Sequence, residues 1–132
     1  SETVRKNLEL TQNEKITQME RIRYVDGKPV AVEKWYAPLK YFPGIKRDMF
    51  KSSGMEQSTY YILMKYYNIK IDRSVDTVAP GGLEAREAKI LAINSGHPAL
   101  LRTRISYSSD NRPVTYASGV YLIRLKFMLG RI

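Results

Sequence analysis

The sequence of 132 residues contains no cysteine and only one histidine. It therefore has no disulfide, no thiolate metal ligand and no cysteine nucleophile. The lone His97 excludes a cluster of several histidines, and we predict neither a metal nor a cofactor. Long apolar runs are also missing, since residues 120–129 are interrupted by Arg124 and Lys126 and fall short of the ~20 residues of a membrane span. The opening SETVRKNLEL has no apolar segment typical of a signal peptide, so we expect a cytoplasmic domain.

Charge is the first positive feature of the sequence. The chain has 22 Lys and Arg against 13 Asp and Glu, a formal net charge of +9. Such an excess favours anionic partners, which include nucleic acid and small molecules that carry phosphate or carboxylate groups. The basic residues are scattered, and no helix-turn-helix or zinc-finger pattern is present. Three interpretations stay open: a solvated basic surface, a site for a small anion, or direct contact with nucleic acid.

Apolar spacing and turn residues divide the chain into short strands and two helices. Alternating patterns predict strands over residues 3–11, 16–24, 30–37, 69–78, 99–108 and 113–129. Asp26-Gly27 predicts a β-hairpin between the second and third of these strands. A helix follows from the spacing of four residues expected to form one buried stripe, Tyr60, Leu63, Met64 and Tyr67.

A second helix is predicted after Pro80-Gly81-Gly82, which we expect to end the preceding strand. Its inward positions would be Ala85, Ala88, Leu91 and Ala92. The strands are joined by hairpin-like connections rather than by βαβ crossovers. The pattern therefore predicts an α+β domain in which helices pack on an antiparallel sheet.

The first candidate anion site lies on the predicted hairpin. Period two places Arg21 and Arg23 on one face of their strand. A two-residue hairpin loop would put Val32 on that face, whereas a three-residue loop would put Glu33 there. In the second case two guanidinium groups could hold an anion while Glu33 accepts hydrogen bonds from hydroxyls. An exposed face with weak surface ion pairs is the alternative.

The second candidate is the start of the first predicted helix. Free backbone N–H groups at a helix N-terminus bind phosphate, and Ser58 and Thr59 would add hydroxyl donors. The start itself is ambiguous, because Ser53-Gly54-Met55-Glu56 also fits a capping box. If the helix begins at Ser53, the amides near Ser58 are used in helical bonds and the site is lost. An ordinary helix cap is the other interpretation.

A series of short motifs resembles one known family. They are Arg21-Ile22-Arg23, Gly27-Lys28-Pro29-Val30, Glu33, Tyr36-Ala37-Pro38, Phe42-Pro43-Gly44, Ser58-Thr59-Tyr60, Tyr67-Asn68-Ile69, His97-Pro98-Ala99-Leu100, Arg102, Arg104, Tyr107, Arg112-Pro113-Val114 and Tyr121. Each motif is weak alone, but their order and spacing over residues 3–128 are similar to those of the UTRA ligand-sensing domain. That domain forms the C-terminal half of HutC-type regulators in the GntR superfamily.

The resemblance implies a chorismate-lyase-like antiparallel sheet with flanking helices, as one effector-binding domain over residues 1–132. It also implies a homodimer whose effector controls a winged-helix DNA-binding domain. Because this chain has no such domain and no initiator methionine, we expect it to be the sensor part of a longer repressor.

Site residues follow from the resemblance by position. An anionic group, such as a phosphate, would lie against Arg21, Arg23, Ser58 and Tyr60, and the helix-start hydroxyl of Thr59 completes this set. Glu33 and Tyr121 would contact the rest of the ligand, which requires Glu33 on the arginine face and so predicts the three-residue hairpin. Thr115 is a further ligand-binding candidate, but it stands where many relatives have a glutamate, and Tyr121-Leu122-Ile123-Arg124 replaces the usual Tyr-Arg-Gly-Asp. These departures argue against an amino-sugar phosphate but not against another phosphorylated or carboxylated metabolite.

Three function classes are open at this point. The leading hypothesis is a non-enzymatic sensor that binds a small anionic effector and contacts DNA only through another domain. A chorismate-lyase-like enzyme is the second, because an arginine and a carboxylate could bind a dicarboxylate substrate. A dimerisation domain without a ligand is the third, and a flat, solvent-filled arginine face would favour it.

Overall fold

The structure is a computed structural model that describes residues 1–50 and 59–122. Its elements are α1 (Glu2–Asn7), β1 (Ile16–Val25), β2 (Lys28–Pro38), a 3-10 turn (Arg47–Met49), α2 (Thr59–Tyr67), β3 (Ile71–Gly82), α3 (Ala85–Leu91), β4 (Pro98–Ser108) and β5 (Pro113–Tyr121). The strands form one antiparallel sheet in the order β1-β2-β5-β4-β3. The predicted α+β class is therefore confirmed, and residues 123–129 of the predicted last strand lie outside the described residues.

The two faces of the sheet differ in character. On one, here called the polar face, neighbouring strands place Arg21, Glu33, Gly119 and Arg102 in one cross-strand row. The other, here called the apolar face, carries alternate residues of the same strands, including Val32 and Tyr116. Helices α1 and α3 pack on the apolar face, and α2 packs beside the polar face.

The first element is a helix, so the strand predicted over residues 3–11 is wrong. Val4 and Leu8 are four residues apart, a spacing that fits both a helix and an alternating strand. Both are buried against Tyr116. The side chain of Ser1 accepts a hydrogen bond from the Val4 backbone N–H at 3.4 Å, and Glu2 lies in the first turn, where the helix dipole favours an acid. Local capping therefore decides what the apolar spacing leaves open.

The Pro80-Gly81-Gly82 segment does not end its strand, contrary to prediction. Pro80 pairs with Leu100, and β3 continues to Gly82. Proline is tolerated here because β3 is an edge strand, which makes ladder hydrogen bonds on one side only. The strand consequently runs the full length of β4.

The predicted buried faces of the two helices are confirmed in part. In α3, Ala88 and Leu91 are buried as predicted, but Ala85 and Ala92 are exposed. Ala92 is the left-handed C-cap, with φ of 56°, and so lies beyond the helical periodicity.

In α2, Leu63 is buried as predicted and packs against Ala37 and Phe42. Tyr60 and Met64 are exposed, and the neighbouring Ile62 is buried instead. The buried stripe is thus rotated by part of a turn. None of the helices within the described residues is long and apolar enough to cross a membrane.

Candidate functional site

The β1–β2 hairpin brings Glu33 to the arginines by a route that differs from the predicted one. Its loop has two residues, Asp26 and Gly27, with φ of 50° and 77°, so the predicted three-residue hairpin is wrong. A β-bulge follows, because Tyr24 pairs with Pro29 while Arg23 pairs with Ala31. The extra residue is Val30, and it shifts the register by one. Arg21 therefore pairs directly with Glu33.

A cavity of about 220 Å³ lies between the polar face and the start of α2. Its walls include five of the predicted site residues: Arg21, Glu33, Thr59, Tyr60 and Thr115. They also include residues that had no predicted role: Met19, Lys34, Trp35, Arg102, Arg104, Ser106 and Ala117. The polar face is thus concave and not flat at this point.

One end of the cavity is built around the Glu33 carboxylate. The buried Tyr121 hydroxyl donates a hydrogen bond to Glu33 Oε2 and accepts one from Arg102 Nη2 at 2.9 Å. Arg102 Nη2 also lies 3.5 Å from Glu33 Oε2. On the other side, Arg23 Nε lies 3.7 Å from Glu33 Oε1. Burial raises the pKa of the Tyr121 phenol, and the Glu33 carboxylate raises it further. The phenol consequently stays protonated as the donor to Glu33.

Arg21 is the cross-strand partner of Glu33 and also contacts the aromatic ring of Phe50. Its guanidinium carbon is 5.0 Å from the centre of the Phe50 ring. Burial lowers the pKa of Arg21 and nearby Arg23 lowers it further, whereas Glu33 raises it. An arginine remains charged under such shifts because its pKa starts far above neutrality. The cavity therefore contains a partly desolvated, permanent positive charge.

A second ion pair lies further along the polar face. Arg104 donates from Nε to Asp76 Oδ1 at 2.6 Å and from Nη2 to Asp76 Oδ2 at 2.9 Å. This bidentate contact lowers the pKa of Asp76, while burial opposes the shift. Such charge-assisted, two-point pairs fix geometry as well as charge. Asp76 on β3 thus holds the Arg104 guanidinium in place.

Tyr60 connects that pair to α2. Its hydroxyl lies 2.7 Å from Ser74 Oγ and 2.9 Å from Ser106 Oγ, and Arg104 Nη1 donates to it at 3.5 Å. These contacts hold the start of α2 on β3 and β4. Tyr60 is therefore a wall of the cavity whose hydroxyl is already hydrogen-bonded within the protein.

The remaining predicted residues are placed as follows. Arg23 is directed to Glu33 but is not a cavity wall, and its side chain is 64% exposed. Tyr121 does not line the cavity, but its hydroxyl donates to Glu33, which does. Ser58 and the alternative helix start at Ser53 lie outside the described residues. Among residues 1–50 and 59–122, no group of three or more His, Asp or Glu could hold a metal ion.

Sequence reasoning assigned no function to Arg102, Arg104 or Asp76. A signal was present, because Arg102 and Arg104 repeat the Arg-x-Arg alternation of Arg21 and Arg23 in another strand. The strand order needed to bring the two pairs to one face is a tertiary property, since β5 lies between β2 and β4. Asp76 carries no local signal.

The chain is thus an α+β domain with a basic, carboxylate-containing pocket on one face of its antiparallel sheet. Within that class the chain belongs to the UTRA domain family, whose pattern matches residues 1–123.

The curated relatives are bacterial regulators. The mannosyl-D-glycerate transport/metabolism system repressor MngR of Escherichia coli is 25% identical over 118 residues, which is 89% of this chain and 47% of MngR. The HTH-type transcriptional repressor PhnF of Mycolicibacterium smegmatis is 28% identical over 106 residues, 80% of this chain and 41% of PhnF. The chain thus spans less than half the length of either relative.

Among solved structures, a GntR-family transcriptional regulator from Enterococcus faecalis matches with a TM-score of 0.85 and 25% identity. That match covers 99% of this chain and 91% of the regulator. The fold is therefore shared over essentially the whole described sheet.

Proposed function

We propose that this chain is the effector-binding domain of a bacterial transcriptional repressor and that its effector is an anionic, phosphorylated metabolite. The observation that carries the proposal is the charge around the cavity. Four arginines (Arg21, Arg23, Arg102 and Arg104) are grouped with two carboxylates (Glu33 and Asp76) on the polar face. A concave site with an excess of fixed positive charge favours an anion over a neutral or cationic ligand. The repressors MngR and PhnF supply the regulatory context.

The two parts of the cavity would contact different ends of the ligand. The anionic group lies against Arg21 and the start of α2, where Thr59 contributes a hydroxyl and Ser58 is the further candidate. The hydroxyl-bearing remainder lies towards Glu33, whose carboxylate accepts hydrogen bonds, and towards Thr115 on β5. Because Tyr60 is already bonded to two serines, it shapes the site and fixes α2. Binding requires neither a cofactor nor a catalytic step.

Signalling follows from the position of the cavity between the sheet and α2. A ligand that contacts both elements favours the state in which they are closed over it. It shifts the population only by the difference between its affinities for the two states. In a cytoplasmic homodimer, this closure changes the spacing of winged-helix DNA-binding domains joined to the two copies. DNA is therefore a partner of the longer protein, not of this domain.

Calorimetric titration of the 132-residue chain with phosphorylated sugars, phosphonates and carboxylated metabolites tests the ligand class. For the compound that binds, Arg21→Gln should weaken affinity by about tenfold to a hundredfold, as expected for loss of a hydrogen bond between charged groups. Arg86→Gln is the matched control, because Arg86 pairs with Glu20 on the opposite side of the sheet. It should leave affinity within about twofold.

Other results would contradict the proposal. Equal losses in both variants would place the anion elsewhere on the basic surface. Binding of uncharged compounds alone would overturn the anionic effector. Release of pyruvate from chorismate would favour the enzyme hypothesis instead.

A further inference from the structure

Gly119 lies at the centre of the polar face. In the cross-strand register it is the partner of Glu33 on one side and of Arg102 on the other. A Cβ atom built at this position would lie 2.7 Å from Cε2, 2.8 Å from Oη and 2.9 Å from Cζ of Tyr121. Its φ is outside the positive region, so the backbone does not require glycine here. The requirement is space, because the Tyr121 ring lies directly over the glycine.

The covering ring places one hydroxyl between two charged groups. Tyr121 donates to Glu33 Oε2 and accepts from Arg102 Nη2 at 2.9 Å. Glu33 Oε2 and Arg102 Nη2 already form a long, single-point ion pair of 3.5 Å. Arginine and carboxylate groups at this separation tend to close into a two-point contact. With the phenol in place, Glu33 contacts Tyr121 and Arg102 through one carboxylate oxygen, Oε2.

The other oxygen, Oε1, has a looser environment. Arg23 Nε lies 3.7 Å from this oxygen and belongs to a largely exposed side chain, and Arg21 also interacts electrostatically with the Glu33 carboxylate. Glu33 is itself a wall of the cavity. A carboxylate held in this way accepts a hydrogen bond from a ligand hydroxyl or amine and repels a second anionic group.

We propose that Gly119 is the positioning residue for Glu33: by leaving room for the Tyr121 phenol, it keeps the Glu33–Arg102 ion pair from tightening into a two-point contact and directs Oε1 to a hydroxyl of the ligand. The inference rests on the proposed function and deepens it. It defines the effector as a molecule with an anionic group at one end and a hydroxyl donor at the other. Removing the space at position 119 should therefore affect recognition of the hydroxyl end only.

The test compares two probes, inorganic phosphate and glucose 6-phosphate, on the 132-residue chain by calorimetry. Gly119→Ala displaces the phenol, and Tyr121→Phe keeps the ring but removes its hydroxyl. Both variants should weaken the affinity for glucose 6-phosphate by about tenfold, as expected for the loss of one hydrogen bond to a charged group. The affinity for inorganic phosphate should stay within about twofold of that of the unmodified chain. Ser118→Ala, one residue away and pointing to the apolar face, should change neither. Equal losses for the two probes, or no loss for either, would overturn the proposal.

A measurement without ligand separates this inference from the proposed function. In the unmodified chain the phenol of Tyr121 has a raised pKa because it is buried and bonded to Glu33. Gly119→Ala should lower that pKa towards the ordinary value, as followed by NMR of the tyrosine ring, and Ser118→Ala should not. If the chain binds neither probe, the result argues against a phosphate site on the polar face, and the positioning role is then decided by the Tyr121 pKa. An unchanged Tyr121 pKa in Gly119→Ala would then overturn the positioning role, and a lowered pKa would support it.

Discussion

The two faces of one sheet differ as much as two separate domains would. Val32 on the apolar face packs with Leu83, Ala88 and Leu91. The next residue, Glu33, lines a cavity with arginines on both sides. Since side chains alternate along a strand, each strand contributes to the core and to the site in successive positions. Substitutions one residue apart should therefore change different properties.

The energetic roles of the faces also differ. Burial of an apolar side chain stabilises a fold by roughly 1.5–3 kcal/mol, so the helices on the apolar face contribute directly to stability. Partly buried ion pairs contribute little net stability, because desolvation offsets the attraction between the charges, although removing one partner is costly since it leaves the other charge unpaired. The charged groups of the polar face are consequently better explained by binding than by folding. Substitutions on the two faces should therefore differ in the size and the pH dependence of their effects.

The largest effect is expected from Leu91→Ala on α3. Leu91 is 3% exposed and packs with Val32 and Leu83, so its truncation leaves a cavity in the apolar core. We expect the free energy of unfolding to fall by about 2–5 kcal/mol in urea denaturation. Ile93→Ala is the control, because Ile93 is an exposed residue just beyond the same helix. A comparable loss at Ile93 would show that the core assignment is wrong.

An intermediate, pH-dependent effect is expected from Asp76→Asn on the polar face. The Arg104 guanidinium lowers the pKa of Asp76 in the folded chain below its unfolded value of about 3.9. The carboxylate therefore stabilises the fold above that pH, and the contribution is lost as the pH falls through the lower, folded pKa.

At neutral pH, Asp76→Asn should cost about 1–2 kcal/mol, a value reduced for partial exposure. Below about pH 4 the difference from the unmodified chain should shrink. Urea denaturation from pH 2 to pH 7 measures both. Asp72→Asn, at an exposed position on the same strand, is the control. A deficit that is constant with pH would contradict the ion pair.

A smaller effect is expected from Tyr60→Phe, which removes the hydroxyl shared with Ser74 and Ser106. The loss should be about 1 kcal/mol of stability, typical of a neutral hydrogen bond. Amide hydrogen exchange should also become faster at the start of α2. Tyr66→Phe on the same helix is the matched control, because Tyr66 is exposed. Equal exchange in the two variants would show that Tyr60 does not hold the helix.

The sequence allowed the α+β class and most strands to be predicted, because their alternating patterns are strong. Its errors have local causes. Val4 and Leu8 fit two periodicities, and the cap at Ser1 selects the helix. Pro80 is compatible with a strand only because β3 is at an edge. The apolar pattern of a segment does not tell whether its strand lies at the edge of the sheet, and this position decides whether proline is tolerated.

The candidate site was predictable in part for a similar reason. Arg21 and Glu33 were assigned to one face, but the bulge at Val30 that aligns them follows from no rule of loop length. Arg102 and Asp76 come from strands distant in sequence, so their approach depends on the strand order. Gly119 was missed because its contribution is the space that it leaves.

The most direct test of the difference between the faces is to map an anion onto the chain. Arginine side-chain Nε–H signals can be followed by NMR during titration with inorganic phosphate. We expect Arg21 and Arg104, which line the cavity near the start of α2, to shift and saturate together, while Arg86 and Arg112 do not. Equal, unsaturable shifts at all four arginines would reveal a diffuse basic surface and contradict a binding site on the polar face.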